Sequence, residues 1–480
     1  MSPHAVLAEL TLRGVRPTGI RADSRLLQPG ELFLALPGAR HDGRDFIADA
    51  VARGACAVLY SPGTVPDVAV PCLPVEHLPQ LAGPLADLIL GQPSHRLWLV
   101  GVTGTNGKTS VSSFIAQIMN AWECRCALIG TLGYGLPPRL TACPNTTPDA
   151  VSLQQLLAGF VREGATSCAM EVSSIGLHQH RVDGIAFDVA VFTNLSRDHL
   201  EYHGSMAAYA AAKRRLFEFP DLSAAVINLD DAYGRELAAA CRGRPRCIGY
   251  TLDGRSGGDE TLAAEALVFD DQGLSFTLRG VRFRAPLIGR FNAANLLATI
   301  GALYAGGETL PDIAEMTPLL RPPAGRLQTL GGRDAPLVVI DYAHSPDALE
   351  KALCTLRETA TRRGGRLICV FGCGGERDAG KRPQMGAIAE ALADRTVVTS
   401  DNPRREDPQA IVDAILAGMR HRPSVQVERS AAIRLAIAES AAQDVVLIAG
   451  KGHEDYQEIG DVRVPYSDHD VARAALEQWR

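Results

Sequence analysis

The chain has 480 residues, more than a single hydrophobic core usually accommodates, so we expect several domains. Hydrophobic residues make up 46% and charged residues 21%, the composition of an ordinary globular protein. The net charge of −6, the absence of a basic block and the 5% content of aromatic residues argue against nucleic acid and against an anionic membrane surface as partners.

Neither a targeting segment nor a membrane-spanning segment is predicted. The N-terminus lacks a basic region followed by a long apolar core, and nowhere do about 18 uncharged apolar residues follow one another. The eleven cysteines form no CxxC pair, and most of them lie in apolar runs. We interpret them as buried free thiols in a reducing compartment, since Cys124 and Cys126 have no nearby Cys/His pair to complete a metal site.

Two α/β domains are predicted before residue 326. Residues 1–91 have short apolar runs between turns rich in Pro and Gly, which predicts a small α/β domain. In residues 92–325, apolar strands alternate with amphipathic helices, which predicts a mainly parallel sheet covered on both faces. The predicted elements are strands at 127–129, 167–170, 189–192 and 225–227, helices at 152–163, 205–217 and 291–305, and β-hairpins within 262–285.

Residues 326–480 repeat this alternation and are predicted to form a third α/β domain. The predicted strands lie at 337–340, 367–371, 396–399 and 445–448. Each strand ends in a polar loop rich in Gly or Pro, and ligands of open α/β sheets bind at the carboxyl ends of the strands. We therefore expect functional residues in these loops.

The glycine-rich segment 101–110 lies between an apolar strand and a helical pattern, the arrangement of a phosphate-binding loop. Its glycines allow backbone N–H groups to approach phosphate oxygens, and the following helix adds its positive N-terminal dipole. Lys108 supplies a cation for phosphate, and Thr109 supplies a hydroxyl for Mg²⁺. The spacing departs from the strict nucleotide-loop pattern, because Val102 stands where that pattern has glycine.

Three further features of residues 92–325 bear on chemistry. Glu171 follows an apolar strand, where it is either a Mg²⁺ ligand or an ordinary exposed carboxylate. The run 193–204 collects Arg197, Asp198, His199 and His203 in one loop, a density that favours function over structure. By contrast, the local sequence of Lys213 indicates only a solvated lysine on a helix.

Two arginine-bearing loops are predicted in residues 326–480. Arg377 lies among glycines in the segment 371–383, and Arg404 closes the segment 401–404. Guanidinium groups bind carboxylates with two parallel hydrogen bonds, so the loops suggest an acidic small molecule. Surface arginines in flexible loops are an equally good interpretation of this pattern alone.

Taken together, these motifs resemble those of the Mur ligase family of peptidoglycan precursor synthesis. The resemblance covers nearly the whole chain, and its motifs lie at residues 23–25, 103–109, 171–174, 193–199, 289–295, 325–326, 341–346 and 450–454. It implies an N-terminal UDP-substrate domain (1–91), a central ATPase domain (92–325) and a C-terminal Rossmann-like domain that binds the amino acid (326–480). Within the family, the members that add 2,6-diaminopimelate match best.

The resemblance implies ligation of an amino acid at the expense of ATP, with Mg²⁺. The γ-phosphoryl group activates the carboxylate of UDP-N-acetylmuramoyl-L-alanyl-D-glutamate as an acyl phosphate. The amine of meso-2,6-diaminopimelate then attacks, and ADP and phosphate are released. The implied enzyme is a cytoplasmic, ADP-forming ligase that acts as a monomer on small-molecule substrates.

The resemblance also assigns roles to individual residues. Lys213 falls where the family carbamylates a lysine, which reverses the interpretation from its local sequence. The implied catalytic residues are Lys108, Glu171, His199 and Lys213, and the implied metal ligands are Thr109, Glu171, His199 and Lys213. The implied ATP-site residues are Gly104, Thr105, Asn106, Gly107, Lys108, Thr109, Asn292, Asn295, Arg326 and Asp341. The implied nucleotide-peptide contacts are Ser24 at uridine and Asn145, Thr146, Thr147, Ser173, Gln179 and Arg181 at the muramoyl peptide. The implied amino-acid contacts are Arg377, Asp401, Asn402, Arg404, Gly450 and Glu454.

One departure and two alternatives accompany this interpretation. Ile175 stands where the family commonly has histidine after residues 171–174. The same ligation with L-lysine is one alternative, but Arg404 would then lack the second carboxylate of diaminopimelate as a partner. A nucleotide-switch protein that hydrolyses ATP without ligation is the other, and it would leave the arginine loops and residues 450–454 without a role.

Overall fold

The computed structural model describes residues 1–38, 41–64, 67–143, 145–241, 243, 245–270 and 273–479. These residues form two compact units. The first unit comprises Met1–Val268, Ser275–Ala285 and Ala294–Leu320. The second comprises Phe269–Leu274, Pro286–Ala293 and Arg321–Arg480, of which the last residue lies outside the described part.

The first unit begins with a four-stranded parallel sheet in the order β1-β2-β3-β4. Its strands are β1 (Gly19–Arg21), β2 (Glu31–Ala35), β3 (Ala57–Tyr60) and β4 (Cys72–Pro74). Its helices are α1 (Pro3–Leu12), α2 (Ile47–Ala52) and α3 (Leu78–Ile89). Alternate strand residues enter two separate cores, with Leu32 and Leu34 on one face and Phe33 on the other. Both faces are therefore covered, as parallel sheets require.

An eight-stranded sheet dominates the first unit, in the order β12-β11-β10-β9-β5-β8-β6-β7. Its strands are β5 (Trp98–Thr103), β6 (Cys126–Gly130), β7 (Gly133–Gly135), β8 (Ser167–Glu171), β9 (Val189–Phe192), β10 (Ala224–Asn228), β11 (Arg246–Thr251) and β12 (Glu260–Ala263). All neighbours are parallel except β6 and β7. The predicted parallel sheet is confirmed, and β9 sits at its predicted bounds.

The β-hairpin prediction for residues 262–285 is wrong at its start. Residues 260–263 join the eight-stranded sheet as β12, parallel to β11, instead of turning back in a hairpin. The remainder forms a separate three-stranded sheet of β13 (Glu265–Asp270), β14 (Gly273–Leu278) and β15 (Val281–Ala285).

Helices lie between and after the strands of the eight-stranded sheet. They are α4 (Lys108–Ala121), α5 (Ala150–Arg162), α6 (Ser174–His178), α7 (Leu200–His203), α8 (Met206–Arg214), α9 (Ala232–Ala240), α10 (Arg290–Ala305) and α11 (Leu310–Met316). The predicted helix at 205–217 is observed as α8, which ends at Arg214. The chain continues as a 3₁₀ turn at Arg215–Glu218.

The second unit is built on a six-stranded sheet in the order β16-β17-β21-β18-β19-β20. Its strands are β16 (Gln328–Gly331), β17 (Leu337–Asp341), β18 (Leu367–Phe371), β19 (Arg395–Val398), β20 (Ser424–Val425) and β21 (Val445–Ala449). A β22 (Tyr456–Ile459) and β23 (Val462–Pro465) hairpin follows. The helices are α12 (Pro346–Arg363), α13 (Lys381–Leu392), α14 (Pro408–Leu416), α15 (Arg429–Ala438) and α16 (Asp468–Gln478).

This second sheet is mostly parallel, and only β16 runs antiparallel to its neighbour. Apolar side chains fill both of its faces, with Leu447 in one core and Val446 and Ile448 in the other. The predicted α/β class with mainly parallel sheets is thus confirmed. No helix in the described part of the chain is both long and apolar enough to cross a membrane.

Candidate active site

The predicted phosphate loop lies between β5 and α4. Gly104 has a φ of 146° and Gly107 a φ of 88°, values that disfavour residues with a side chain. A Cβ atom on Gly104 would lie 1.9 Å from Thr193 Oγ1, and one on Gly107 would lie 2.5 Å from Asn295 Oδ1. Glycine is therefore required at both positions, and the loop brings Asn295 beside it.

The segment after β9 holds the loop in place. Asn194 accepts from the backbone N–H of Thr105 through its carbonyl at 2.8 Å and from that of Asn106 through Oδ1 at 3.0 Å. Its Nδ2 donates back to the Asn106 carbonyl at 3.0 Å. The run 193–204 thus supports the phosphate loop, a role that its density of polar residues did not by itself specify.

Two lysines meet at one carbonyl of this loop. Nζ of Lys108 and Nζ of Lys213 donate to the Gly104 carbonyl at 2.9 and 2.8 Å. Lys213 is only 1% exposed, and its Nζ lies 4.4 Å from the centre of the Tyr209 ring. Burial, reinforced by the positive charge of Lys108, holds the pKa of Lys213 well below its usual range, although Asp198 opposes the shift.

The interpretation of Lys213 as a solvated helix lysine is therefore wrong. A lowered pKa makes its amine neutral at a lower pH than a surface lysine, and a neutral amine is a nucleophile. Tyr209, which the sequence analysis did not single out, closes this site, since its hydroxyl lies 3.2 Å from Thr105 Oγ1.

Glu171 joins the phosphate loop to a second loop. Its Oε2 accepts from Thr109 Oγ1 at 2.9 Å, and its Oε1 accepts from the Thr131 backbone N–H at 2.7 Å. The Thr131 hydroxyl lies 3.2 Å from Thr146 Oγ1. The carboxylate is buried, so the interpretation of Glu171 as an ordinary exposed residue is wrong. Thr131 was missed, and its position directly after the apolar strand β6 is the signal that marks it.

His199 lies at the margin of this group. It adopts a left-handed conformation with a φ of 52°, and its side chain is 45% exposed. Its ring centre is 6.3 Å from that of Tyr209. In the described part of the chain, no three His, Cys, Asp or Glu side chains are grouped to hold a metal ion.

Several of the predicted muramoyl-peptide residues are brought together. Thr147 is fully buried, and its hydroxyl donates to the Glu171 carbonyl at 2.9 Å and accepts from the Ser173 N–H at 3.0 Å. Arg181 donates to the Thr147 carbonyl at 2.8 Å and to Gln179 Oε1.

Three other positions are less connected. Asn145 is exposed, Ile175 is half-buried, and Ser24 is buried in the 3₁₀ turn Ser24–Leu26. No hydrogen bond joins Ser24 to the predicted muramoyl-peptide residues within the described part of the chain.

In the second unit, Arg326 and Asp341 lie on neighbouring segments. The Arg326 guanidinium lies 4.9 Å from the centre of the Tyr342 ring. Asp341 is buried and accepts from the Leu327 N–H at 2.8 Å. Burial raises the pKa of Asp341, and Arg326 opposes that shift. Asn292, at the start of α10, donates to the Ile288 carbonyl at 2.9 Å.

The loops after β19 and β21 meet. Asn402 Nδ2 donates to Glu454 Oε2 at 2.8 Å, and Lys451 Nζ donates to both side chains. Arg404 pairs with Glu458 at 2.9 Å and donates to the Gly375 carbonyl at 2.8 Å. Arg404 therefore already has partners within the chain, and its local sequence did not indicate them. These partners reduce the free-energy cost of binding a substrate that lacks the second carboxylate.

Three more predicted residues share this edge of the sheet. A Cβ atom on Gly450 would lie 2.4 Å from Asp401 Oδ2, so glycine permits the close approach of the two loops. Arg377 is exposed and makes no hydrogen bond or ion pair with the described residues. Its guanidinium is therefore available to an anion.

A fully buried arginine beneath these loops was missed. Arg429 donates to the Ser400 carbonyl at 3.2 Å and to the Ala449 carbonyl at 2.9 Å, and it pairs with the buried carboxylate of Asp468 at 2.7 Å. It ties together the ends of β19 and β21. The sequence marks it only as an arginine at the start of a helix, α15, that also carries Ser430 and Arg434.

Models of the Mur ligase family match three successive segments of the chain. A model described as the Mur ligase family catalytic domain matches residues 16–88, one described as the Mur ligase middle domain matches residues 102–303, and one described as the Mur ligase glutamate ligase domain matches residues 325–452.

Curated relatives match almost the full length of the chain. The UDP-N-acetylmuramoyl-L-alanyl-D-glutamate–2,6-diaminopimelate ligase of Chromobacterium violaceum is 51% identical over 96% of this chain and 94% of its own. The enzyme of the same name from Pseudomonas aeruginosa is 51% identical over 95% and 94%. A solved structure of a ligase of this name is 38% identical, with a TM-score of 0.72 over 96% of this chain and 95% of its own. The resemblance inferred from the sequence motifs is confirmed: the chain belongs to the Mur ligase family.

Proposed function

We propose that this protein uses ATP to join meso-2,6-diaminopimelate to UDP-N-acetylmuramoyl-L-alanyl-D-glutamate, releasing ADP and phosphate, in peptidoglycan precursor synthesis. The observation that carries this proposal is the identity of about half of all residues, over nearly the full length, with ligases named for this reaction. The phosphate loop and the amino-acid loops supply the chemistry that such a reaction needs.

The chemistry starts from a poor electrophile. A carboxylate does not react with an amine until phosphorylation converts one of its oxygens into a leaving group. The enzyme must therefore bring the triphosphate and the substrate carboxylate together, although both are anions. Lys108 opposes that repulsion and stabilises the charge on the transferring phosphoryl group. The amine then attacks the acyl carbon, the C–N bond forms as the bond to phosphate breaks, and the amine loses a proton.

The residues around Glu171 suit Mg²⁺, which prefers oxygen ligands. The hydroxyl of Thr109 and the carboxylate of Glu171 already lie 2.9 Å apart. We assign Lys213, in the form of its carbamate, to the same site, where it would supply oxygen ligands in addition to the Glu171 carboxylate. We assign His199 to this site as a further ligand. When bound, Mg²⁺ neutralises part of the phosphate charge.

Roles for the remaining predicted residues follow the same scheme. We assign the ATP site to the phosphate loop with Asn292, Asn295, Arg326 and Asp341. The nucleotide-peptide would contact Ser24, Asn145, Thr146, Thr147, Ser173, Gln179 and Arg181. The three family models support domain limits of 1–91, 92–325 and 326–480, since each matches within one of these ranges except for Gly325 at the last boundary. The monomeric state and the cytoplasmic location remain predictions.

The amino-acid pocket would read both ends of diaminopimelate. We assign Arg377 to the carboxylate at the reacting centre, Arg404 and Asn402 to the distal carboxylate, and Glu454 to the distal ammonium. Asp401 and Gly450 would shape the pocket between them. The distal carboxylate of diaminopimelate would pair with Arg404, and lysine lacks that carboxylate. The pocket would therefore favour diaminopimelate over lysine.

Phosphate release tests the ligase assignment against a nucleotide switch. Purified protein is given ATP with the UDP-muramoyl-dipeptide, the amino acid, both or neither, and ADP and phosphate are measured. We expect release only when both are present, with diaminopimelate far better than lysine. Equal release without the amino acid would favour ATP hydrolysis without ligation, and equal turnover of lysine would favour the lysine-adding alternative.

Replacement of Arg404 with alanine should raise the KM for diaminopimelate much more than that for ATP. A charged hydrogen bond to a carboxylate corresponds to roughly a ten- to hundredfold loss in kcat/KM. We expect the lower end of that range, because Glu458 and Gly375 already engage Arg404. Steady-state kinetics with each substrate varied in turn provide the measurement.

Arg405 offers a matched control for Arg404. It is the neighbouring arginine, its side chain is 66% exposed, and it pairs only with Asp461 among the described residues. Arg405→Ala should leave all KM values unchanged. If Arg404→Ala left the preference for diaminopimelate over lysine unaltered, the assignment of Arg404 to the distal carboxylate would be wrong, although the ligase assignment could stand.

A further inference from the structure

Lys451 is a lysine with no exposed surface, directly after Gly450 in the loop that follows β21. Its Nζ lies 2.9 Å from Asn402 Oδ1 and 2.8 Å from Glu454 Oε2. The rings of Tyr456 and Tyr466 flank it, with centres at 5.5 and 5.9 Å. Burial of an ammonium destabilises the folded state unless the group is paired and hydrogen-bonded. The contacts with Asn402 and Glu454 therefore stabilise the conformation of this loop.

The contact with Asn402 fixes the orientation of an amide. An ammonium can only donate, so the amide atom facing Lys451 must be the oxygen. The same oxygen accepts from the Glu458 backbone N–H at 2.9 Å. The amide nitrogen consequently faces the other way, where it donates to Glu454 Oε2 at 2.8 Å. Asn402 can therefore offer a ligand only its remaining N–H.

The contact with Glu454 fixes which oxygen of a carboxylate remains available. Oε2 receives both Lys451 and Asn402, whereas Oε1 receives no hydrogen bond from the described residues. The side chain is 16% exposed, so a ligand can still reach it. The positive charge of Lys451 also offsets the repulsion between Glu454 and the neighbouring buried carboxylate of Asp401.

We propose that Lys451 is a positioning residue for the amino-acid substrate, which holds Asn402 and Glu454 so that they present an N–H donor and one carboxylate oxygen to the distal end of a diamino dicarboxylic acid. This inference rests on the proposed function, because it assumes that the pocket binds that substrate. Lys451 itself has no exposed surface and acts through the two side chains that it holds.

The test is Lys451→Met, which removes the charge and both hydrogen bonds but keeps an unbranched side chain. The KM for diaminopimelate should rise roughly ten- to hundredfold, the loss that accompanies disrupted charged hydrogen bonds. The KM values for ATP and for the UDP-muramoyl-dipeptide should change by less than about twofold, and the preference for diaminopimelate over lysine should fall.

Arg366→Met is the matched control. Arg366 precedes β18 and pairs with the buried carboxylate of Asp444 at 2.7 Å, at the opposite end of the same sheet. Loss of this pair should lower thermal stability and leave all three KM values unchanged. A merely structural role for Lys451 would give the same pattern in Lys451→Met, and that result would overturn the proposal.

Should Lys451→Met not fold, Lys451→Met/Glu454→Gln replaces it, because neither member of the Lys451–Glu454 charge pair remains. It is compared with Glu454→Gln alone. The proposal expects a further rise of several-fold in the KM for diaminopimelate in the double variant, since Asn402 is then released, whereas equal KM values would overturn it. Failure of the wild-type protein to ligate at all would instead reject the proposed function.

Discussion

Replacement of Lys108 with alanine is expected to abolish ligation while leaving the fold intact. The Lys108 ammonium lies at the start of α4, where it donates to two carbonyls of the phosphate loop at 2.9 Å. In the proposed reaction it stabilises negative charge on the transferring phosphoryl group. Loss of one such electrostatic contact commonly lowers kcat on the order of 10²–10³-fold, and we expect at least that. ADP release in the presence of all substrates provides the measurement.

Lys351→Ala provides the control for Lys108→Ala. Lys351 lies on the exposed side of α12 and pairs with Asp347 at 2.9 Å. An exposed pair of this kind contributes little to stability, so activity and melting temperature should both stay near those of the native protein. Near-native turnover by a folded Lys108→Ala variant would remove the phosphate loop from the mechanism.

The parallel strands were predictable because burial on both faces makes them continuously apolar. Residues 367–371 were predicted at the bounds of β18, and the prediction for β21 was one residue short. Strand β12 was not predictable in the same way. Its short run, Glu260–Ala263, resembles the start of a hairpin, and its parallel partner β11 is chosen by long-range packing that local periodicity does not encode.

The residues of the candidate site also differ in whether the local sequence could predict them. The phosphate loop was predictable because its glycines, lysine and threonine are adjacent in the sequence. The burial of Lys213 was not, since it arises from contacts with Gly104 and Tyr209, of which the first is more than 100 residues away. The buried charges of Arg429 and Lys451 were not predicted for the same reason, because their partners Asp468 and Asn402 lie 39 and 49 residues away along the chain.

Replacement of Lys213 with alanine is expected to remove nearly all ligase activity. At the proposed metal site, an ammonium at Lys213 would repel a metal ion, whereas a carbamate would bind it. The lowered pKa of Lys213 favours the neutral amine, which attacks CO₂ to form the carbamate and release a proton. Added formate or acetate should restore part of the activity of Lys213→Ala, because a small carboxylate can enter the space that the side chain leaves.

Lys108→Ala is the control that distinguishes the role of Lys213 as a metal ligand from the role of Lys108 as a cation. Lys108→Ala should not respond to formate or acetate, because the missing group there is a cation. In the native protein, a carbon-13 carbamate signal should develop with labelled CO₂ and be absent from Lys213→Ala. A fully active enzyme in which Lys213 remains a free amine would contradict the carbamate assignment.

The pH dependence of stability gives an independent check on the unmodified Lys213 side chain. Its pKa in the folded state lies below the ordinary value of 10.5, so the unfolded state binds more protons between the two values. In the absence of CO₂, the free energy of unfolding should therefore rise with pH through that window, and Lys213→Met should lose this rise.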